Sequence, residues 1–320
     1  MRERHFSAFA DDISDALAQF ADRLDCPTPL SDVCRYVVTS PGKRVRGTLC
    51  LLTAEAAGTR ADRAIQAAVA VEAVHAASLI LDDLPAMDDA PTRRGQPSAH
   101  VAFDEAHAIL AAIALLNGAY AHLSPDDSDM QDGWAGLSVH LLARGVGGHG
   151  LVGGQARDIA AAAPPQRDRA SMERTREHPD RDDALATVHA THGAKTGALF
   201  AAALALGGAP HGKIARSQVD ALWTAGMEIG LAFQGYDDLL DRYATEAAIG
   251  KPTGLDASKT TIATLMPRDD AERWCQDHVT GALRRIDDLF GAETRLAIYI
   301  REMGAMLRAP LEPVQNHAQA

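Results

Sequence analysis

The chain has 320 residues, of which 47% are hydrophobic, and a formal net charge of −12. That length and apolar content suit one large domain, or two ordinary ones, with a substantial core. The acidic balance makes general binding of nucleic acid or of an anionic membrane unfavourable, because long-range repulsion opposes both. An anionic ligand would therefore need a local cluster of lysine and arginine.

The cysteines and the first residues bear on the compartment. Cys26, Cys34, Cys50 and Cys275 form neither a CxxC pair nor a zinc-binding spacing, so thiols in a reducing compartment are expected. The segment MRERHFSAFADDISD lacks the apolar centre of a signal peptide. Apolar runs such as AAIALL are far shorter than the ~20 residues that span a bilayer. These features predict a cytoplasmic protein without an integral membrane span.

Alanine is abundant and hairpin signals are scarce, which favours helix along the whole chain. Residues 64–83 are apolar on nearly all sides, as expected of a helix at the centre of a large bundle. No Pro/Gly/Ser-rich linker divides the chain, so 1–320 are predicted as a single domain, with surface loops at 124–133 and 162–183. The predicted helices span 8–24, 31–39, 43–57, 61–84, 98–122, 132–160, 181–208, 215–243, 257–266, 269–290 and 293–308.

The first acidic cluster, DDLPAMDD, ends an apolar helix with Asp82 and Asp83 and continues to Asp88. On an unbroken helix, Asp88 would point about 120° away from Asp82. Pro85 interrupts the helix, so the chain can turn and bring Asp88 back. Carboxylates packed this closely repel one another unless a cation lies among them.

The second acidic cluster, DDLLD, places Asp237 and Asp241 one helical turn apart on one face, with Asp238 beside them. Carboxylate oxygens suit Mg²⁺, which takes few protein ligands and completes its shell with water and substrate phosphates. A solvated acidic helix end would explain either cluster alone. Two clusters, each following an apolar helix, favour a site for magnesium and diphosphate.

Such a site also needs cations for the phosphate oxygens, and short basic motifs occur along the chain. PGKRVR (41–46) opens a predicted helix, where glycine allows close backbone approach and the helix N-terminus favours an anion. RRG (93–95) follows the first acidic cluster, and arginine suits bidentate phosphate contact. Each motif alone would be an ordinary solvated surface. Further lysines are Lys195 in HGAKTG, and Lys251 and Lys259 in GKPTGLDASKT.

Taken together, these motifs resemble those of the trans-isoprenyl diphosphate synthases, in that family's order, from about residue 35 to 290. The resemblance is greatest to the geranylgeranyl diphosphate synthases of bacterial carotenoid pathways. It implies an all-α isoprenoid synthase fold, a single large helical bundle around a deep central cavity, and a homodimer. The matching pieces are GKRVR (42–46), VHAASLILDDLPAMDD with RRG (74–95), GGQARD (153–158), HGAKTG (192–197), FQGYDDLLD (233–241) and GKPTGLDASKT (250–260).

The resemblance also implies a role for each matching residue. The implied metal ligands are Asp82, Asp83, Asp88, Asp237 and Asp241, holding three Mg²⁺ ions with substrate bound, or Mn²⁺ as a substitute. The implied ligands of isopentenyl diphosphate are Lys43, Arg46, His75 and Arg94. Those of the allylic diphosphate are Arg93, Lys195, Thr196, Gln234, Lys251 and Lys259. The residues implied in catalysis are Asp82, Asp83, Asp88, Lys195, Thr196, Gln234 and Asp237.

The implied reaction is a 1′-4 head-to-tail condensation of the two diphosphates. The allylic diphosphate ionises, the double bond of isopentenyl diphosphate attacks, and the released diphosphate takes up the proton that is lost. Thr196 and Gln234 would shelter the allylic carbocation with their oxygen dipoles. On this interpretation, every aspartate acts as a metal ligand and none as an acid, base or nucleophile.

Two small residues bear on product length. Ala77 and Ser78 lie five and four residues before Asp82, about 6–8 Å deeper along the helix. The resemblance implies that an aromatic residue at the fifth position would close the pocket, as in the family's bacterial farnesyl diphosphate synthases, whereas Ala77 predicts a C20 product, geranylgeranyl diphosphate. A C15 or longer product is the alternative, and close helix packing is another reason for small residues. Further candidates to line the pocket are Ala73, Val74, Ile113 and Leu116.

Three features depart from the family's pattern: Gly47 replaces a proline after GKRVR, Pro91 and Thr92 precede RRG, and residues 162–183 form a longer segment than expected. None of them removes a charged ligand. A class I terpene cyclase is an alternative, but it would not need a second diphosphate site. A non-catalytic partner subunit would be expected to lack one acidic cluster. A helical protein with structural Ca²⁺ would need a loop spacing that is absent.

Overall fold

The computed structural model describes residues 6–124, 133–162, 181–209, 215–245, 254 and 259–311. Within these residues the chain is helical apart from a short hairpin, which confirms the all-α prediction. The elements are α1 (Phe6–Arg23), α2 (Leu30–Thr39), α3 (Val45–Ala57), α4 (Ala61–Asp82), β1 (Thr92–Arg93), β2 (Gln96–Pro97), α5 (Ala99–Ala102), α6 (Glu105–His122), α7 (Trp134–Val146), α8 (Leu151–Ala162), α9 (Arg181–His192), a π-helix (Gly193–Gly197), α10 (Ala198–Gly208), α11 (Arg216–Tyr243), α12 (Ile262–Leu265), α13 (Arg268–Phe290), α14 (Arg295–Arg308) and a 3₁₀ turn (Ala309–Leu311).

Helix α10 lies at the centre of the bundle, in contact with α3, α4, α7 and α11. All 11 of its residues are buried, and its sequence ALFAAALALGG carries no polar side chain. A helix that is apolar on all sides gains stability only with neighbours on all sides. Helix α4 is also buried along most of its length. The neighbouring helices therefore fix where the ends of α4 and α10 lie.

Glycines let the π-helix pack at backbone contact against its neighbours. A Cβ on Gly154 of α8 would lie 2.1 Å from the backbone nitrogen of Lys195. A Cβ on Gly230 of α11 would lie 2.4 Å from the Cα of Gly197. No side chain fits at such distances, so α8, the π-helix and α11 approach one another as closely as backbones allow.

Two helices predicted as continuous are broken in the structure. The 98–122 prediction divides at Phe103, because the Asp104 carboxylate caps α6 by accepting from the His107 N–H at 2.8 Å. The 132–160 prediction divides at the glycine-rich residues 147–150, where α7 ends and α8 begins. The 257–266 prediction yields only the short α12 among its described residues.

The hairpin of β1 and β2 was not predicted. Arg94 and Gly95 form its turn with positive φ angles of 53° and 79°, as a two-residue hairpin turn requires. The predicted loops at 124–133 and 162–183 fall mostly on 125–132 and 163–180, which lie outside the described residues.

One helix among the described residues, α4, is long and apolar enough to cross a membrane on length and composition alone, with a mean hydropathy of 1.7. Its sequence predicts a helix at the centre of a large bundle, because residues 64–83 are apolar on nearly all sides. About 67% of that stretch is buried inside the fold, as in the core helices of globular proteins. It is therefore weak evidence for a membrane span.

Candidate active site

The first acidic cluster lies at the C-terminal end of α4. After Asp82 the chain turns back, and the Asp88 N–H donates to the Asp82 carbonyl at 2.9 Å. The pKa of the Asp82 carboxyl is raised from 3.8 to about 6, chiefly by burial; the negative charges of Asp88 and Asp83 add to this rise, and the positive charges of Lys195 and Arg93 oppose it. A divalent cation would relieve this repulsion, so hard carboxylate donors at this position fit such an ion.

Metal binding here would need ligands beyond the protein. Among the described residues, no three histidine, cysteine, aspartate or glutamate side chains lie close enough to hold a metal ion alone. Mg²⁺ commonly combines one or two carboxylates with water and substrate phosphate oxygens. The arrangement thus suits a metal that is bound together with a diphosphate.

Asp83 has a partner within the protein. Its side chain is buried, and Arg93 of β1 donates through Nε to both carboxylate oxygens, at 2.9 and 3.2 Å, and through Nη2 to Oδ1. Adjacent helical residues point about 100° apart, so Asp83 cannot share the direction of Asp82. Asp83 therefore holds Arg93 in place beside the acidic cluster.

The hairpin brings RRG to the GKRVR motif. Arg94 Nη1 donates to the Pro41 carbonyl at 2.8 Å, and a Cβ on Gly42 would lie 2.4 Å from that nitrogen. Arg44 adopts a left-handed conformation with a φ of 48° and caps the preceding segment, donating to the Val38 carbonyl at 2.7 Å. Arg44 thus stabilises the loop between α2 and α3, and Arg94 lies over that loop through its bond to Pro41.

Arg46, His75 and Arg94, three of the four predicted ligands of isopentenyl diphosphate, form a half-buried basic cluster. Burial and the charges of Arg46 and Arg94 lower the pKa of His75 well below its ordinary value, so this imidazole is neutral. The guanidinium of Arg46 lies 4.4 Å from the centre of the Phe200 ring. The fourth predicted ligand, Lys43, is exposed at the edge of this cluster.

The π-helix presents two successive side chains to different neighbours. Lys195 Nζ donates to Asp158 of α8 at 2.5 Å, and its charge also acts on Asp82. The Thr196 hydroxyl donates to Gln234 Oε1 of α11 at 2.9 Å. Single-turn π segments are frequent at functional sites, and this one joins α8 to α11.

The second acidic cluster follows Gln234 on α11. Asp237 and Asp241 are partly buried and one turn apart. Asp238 is buried and accepts from Gln234 Nε2 at 3.2 Å and from the Ile262 N–H at 3.2 Å, so it anchors α12. The Gly254 N–H donates to the Asp241 carbonyl at 3.0 Å, which brings part of GKPTGLDASKT to this end of α11. Lys259 belongs to the described residues and Lys251 does not.

Residues 27–268 match the family model described as polyprenyl synthetase. The chain belongs to the polyprenyl synthetase family. This is the trans-isoprenyl diphosphate synthase family that the motifs resemble, and its members are prenyltransferases that use divalent metal ions.

Relatives of this polyprenyl synthetase differ in the product they are named for. It is 37% identical over 276 residues to a farnesyl diphosphate synthase of Haemophilus influenzae, covering 85% of this chain and 87% of that one. It is also 37% identical over 238 residues to a geranylgeranyl diphosphate synthase of Cyanophora paradoxa, covering 74% and 73%. The crystal structure of a geranyltransferase from Legionella pneumophila superposes with a TM-score of 0.75 at 29% identity, covering 95% of each chain.

Two charged residues of this polyprenyl synthetase had no role in the sequence analysis. Asp158 lies within the GGQARD motif, and a carboxylate in a matched motif was the signal that could have identified it. Glu72 is a single acid within the apolar stretch of α4, and a buried charge usually has a specific partner. Ile113, a candidate pocket residue, is 57% exposed in the single chain, and its place in the pocket stays a prediction.

Proposed function

We propose that this polyprenyl synthetase condenses isopentenyl diphosphate with an allylic diphosphate in 1′-4 fashion and forms geranylgeranyl diphosphate (C20). The observation that carries the proposal is the position of the π-helix. It sets a cation, Lys195, beside the first acidic cluster and sets the Thr196–Gln234 pair one turn before the second. A cation and two carboxylate clusters around one short segment suit a diphosphate that must leave with its charge compensated.

The allylic diphosphate would bind between the acidic clusters. Mg²⁺, when bound, would supply positive charge to the departing diphosphate. Asp82 at the end of α4 and Asp88 in the turn after it would ligate the ion from one side, and Asp237 and Asp241 would ligate it from α11. Arg93, Lys195, Lys251 and Lys259 would contact phosphate oxygens, with Asp83 orienting Arg93. The oxygens of Thr196 and Gln234 would face the allylic carbon as positive charge develops there.

Isopentenyl diphosphate would bind at the basic cluster beside Lys43, with its diphosphate against Arg46, His75 and Arg94. The neutral imidazole of His75 can donate one hydrogen bond to a phosphate oxygen without needing to gain a proton. After the carbon–carbon bond forms, the proton would pass to the released diphosphate. The two diphosphate sites would lie on either side of the end of α4.

The C20 product rests on the small residues of α4. Ala77 is buried and Ser78 is partly buried, and the Ser78 hydroxyl donates to the His75 carbonyl at 2.9 Å, so it requires no partner in a hydrocarbon pocket. Side chains as small as these would leave room for a chain that extends about 7.5 Å below Asp82. Because relatives are named for both C15 and C20 products, product analysis decides between them.

The first experiment incubates the purified chain with Mg²⁺, isopentenyl diphosphate and each of the C5, C10 and C15 starters, with chain-length analysis of the product. We expect C20 product, and none after chelation of the metal. A hydrocarbon product formed from an allylic diphosphate alone would favour the terpene cyclase instead.

Pocket depth is tested by Ala77→Tyr and Ala77→Phe. An aromatic ring at this position fills the space into which the growing chain extends, so we expect mainly C15 product at comparable total turnover. Ala61→Tyr, on the exposed first turn of the same helix, is the matched control and should leave the C20 product unchanged. An unaltered product from both Ala77 variants would refute the role of α4 in product length.

We also propose that the protein is cytoplasmic and forms a homodimer through α6. Three large apolar side chains of that helix, Ile109, Leu110 and Ile113, are 40%, 49% and 57% exposed. Contiguous exposed apolar side chains commonly mark an interaction surface. A second copy of this chain is the occupant that the resemblance to the family implies.

A further inference from the structure

A buried carboxylate lies beside the basic cluster that the proposed function assigns to isopentenyl diphosphate. Glu72 lies on α4 one turn before His75 and is 3% exposed. With His75, Arg44 and Arg94 it lines one pocket between α2, α4 and the hairpin. No catalytic or binding role described above uses this residue. A buried acid is unfavourable unless it is paired, so its partners indicate its purpose.

The first partner is a backbone group. Glu72 Oε1 accepts from the Gly47 N–H at 2.8 Å, which ties α4 to the first turn of α3. A Cβ on Gly47 would lie 3.0 Å from Glu72 Cγ and 2.9 Å from Ile13 Cδ1. Glycine therefore both supplies the donor and leaves the room that the carboxylate occupies. A proline at this position would have no N–H to donate.

The other partners are arginines. Burial lowers the pKa of Arg46, Arg44 and Arg94, and the negative charge of Glu72 opposes that fall in each of them. Repulsion from a neighbouring guanidinium also lowers the pKa of Arg46 and of Arg94. For Arg46 the balance leaves a pKa of about 10, so this side chain stays charged. Its Nε is buried and has no hydrogen-bond partner within the described residues. Glu72 thus compensates the charge of Arg46, whose Nε is left without a hydrogen bond inside the described fold.

We propose that Glu72, fixed by the Gly47 N–H, is a positioning residue that holds Arg46 and Arg94 together for the diphosphate of isopentenyl diphosphate. This inference rests on the proposed function. Without an internal anion, the guanidinium groups would repel one another and separate before the substrate arrives. With Glu72 present, the guanidinium groups of Arg46 and Arg94 stay close together, so less of the free energy of substrate binding is lost in ordering them.

Glu72→Gln tests the proposal, because glutamine keeps the size and an acceptor for Gly47 but removes the charge. We expect the KM for isopentenyl diphosphate to rise about tenfold or more, since a hydrogen-bonded charge is lost. The KM for the allylic substrate and the product length should stay within about twofold of wild type by the same reasoning. Glu72→Asp, which keeps the charge, should recover part of the affinity.

The matched control is Glu55→Gln on α3. Glu55 is also paired with an arginine, Arg295, at 3.1 Å, but on the surface, and its loss should leave both KM values unchanged. Melting temperatures separate binding effects from unfolding. If Glu72→Gln does not fold, Gly47→Ala displaces the carboxylate while keeping its charge and should raise the same KM.

Each outcome decides something definite. A Glu72→Gln enzyme with unchanged or lower KM for isopentenyl diphosphate would show that Glu72 merely opposes the anion, and the inference would be lost while the proposed function stood. Equal increases in both KM values would show a general structural role and would also overturn it. A folded wild-type chain that turns over isopentenyl diphosphate with no starter would instead refute the proposed function.

Discussion

Asp82 and Asp83 are adjacent in sequence and have different surroundings. Asp82 is partly exposed next to Asp88 and Lys195, whereas Asp83 is buried in a bidentate pair with Arg93. A bidentate arginine–carboxylate pair fixes the guanidinium plane as well as its position. In this geometry Asp83 contributes to the site through the arginine that it orients, and Asp82 is better placed to meet a metal ion.

Lys195 depends on Asp158 in the same way, and Asp158→Asn tests this dependence. Asparagine keeps the size but loses the charge-assisted bond, so Lys195 would be less well oriented towards a phosphate. We expect kcat/KM for the allylic substrate to fall about tenfold, the effect typical of one charged hydrogen bond. Steady-state kinetics with varied allylic substrate would measure it.

The control is Asp62→Asn, which removes an exposed carboxylate paired with Arg60 on the first turn of α4. It should change neither kinetic constant, because exposed pairs contribute little. Should Asp158→Asn also leave kcat/KM at the wild-type value, Lys195 would not need its partner, and the role given to Asp158 would have to be withdrawn.

At the scale of single residues, the sequence pointed to the residues of the matching motifs but not to the residues that hold them in place. The spacing of the two acidic clusters pointed to Asp82 and Asp237, because local helical geometry sets which way their side chains point, whereas Lys195 was proposed from the resemblance of its motif. Asp158 and Glu72 could not be assigned in this way, since their partners, Lys195 and Gly47, are 37 and 25 residues away along the chain. Only tertiary packing reveals such pairs.

At the scale of the elements, the segment from α9 to α10 combines a helix that the sequence predicts with a π-helical turn that it does not. A continuous helix over 181–208 was predicted, and the chain is helical throughout that range. The π-helical turn within it depends on close contacts of Gly154 and Gly230 with the turn's backbone. Those contacts come from α8 and α11, so no local pattern could have indicated the turn.

The hairpin was missed for a different reason. Four paired residues are too few for an alternating pattern, and the sequence around them carries an acidic cluster and prolines. Gly95 was the available signal, since a positive φ angle is easy for glycine. Arg94 also takes a positive φ angle, which a non-glycine residue adopts only where its surroundings hold it, here by the bond to Pro41.

The contact between α9 and α13 should make folding stability depend on pH. His278 of α13 lies 5.8 Å from His189 of α9 and 4.3 Å from Trp274, measured between ring centres. Burial, together with His189, lowers the pKa of His278 from 6.5 to about 4, while Asp277 opposes the shift. The unfolded chain therefore binds a proton at a higher pH than the folded one.

Because of this difference in pKa, His278 should lower the free energy of unfolding as the pH falls from 6.5 towards 4. Thermal unfolding midpoints over this pH range should decline less steeply for His278→Gln than for wild type. His140→Gln, at an exposed position of α7, should retain the wild-type slope. Identical slopes for wild type and His278→Gln would mean that the buried ring does not control this contact.

At the scale of the whole molecule, the site is assembled from elements that are far apart in the chain. The end of α4 and the turn after it supply one acidic cluster, α11 supplies the other, and the π-helix contacts α8 and α11. The motif order predicted which elements would contribute, and the buried α10 fixes their relative positions. That the two acidic clusters face each other across a cavity stays a prediction. A single domain over residues 1–320 also stays a prediction.

The exposed apolar face of α6 allows a test of the proposed homodimer. A charge at Ile113 would have to be buried without a partner if this face meets a second copy, which opposes association strongly. Wild type should therefore sediment at twice the mass of one chain, and Ile113→Glu as a single chain, in analytical ultracentrifugation at micromolar concentration. Met306→Glu, at another exposed apolar position on α14, should remain dimeric. A wild-type protein of single-chain mass, or a dimeric Ile113→Glu, would show that α6 is not the interface.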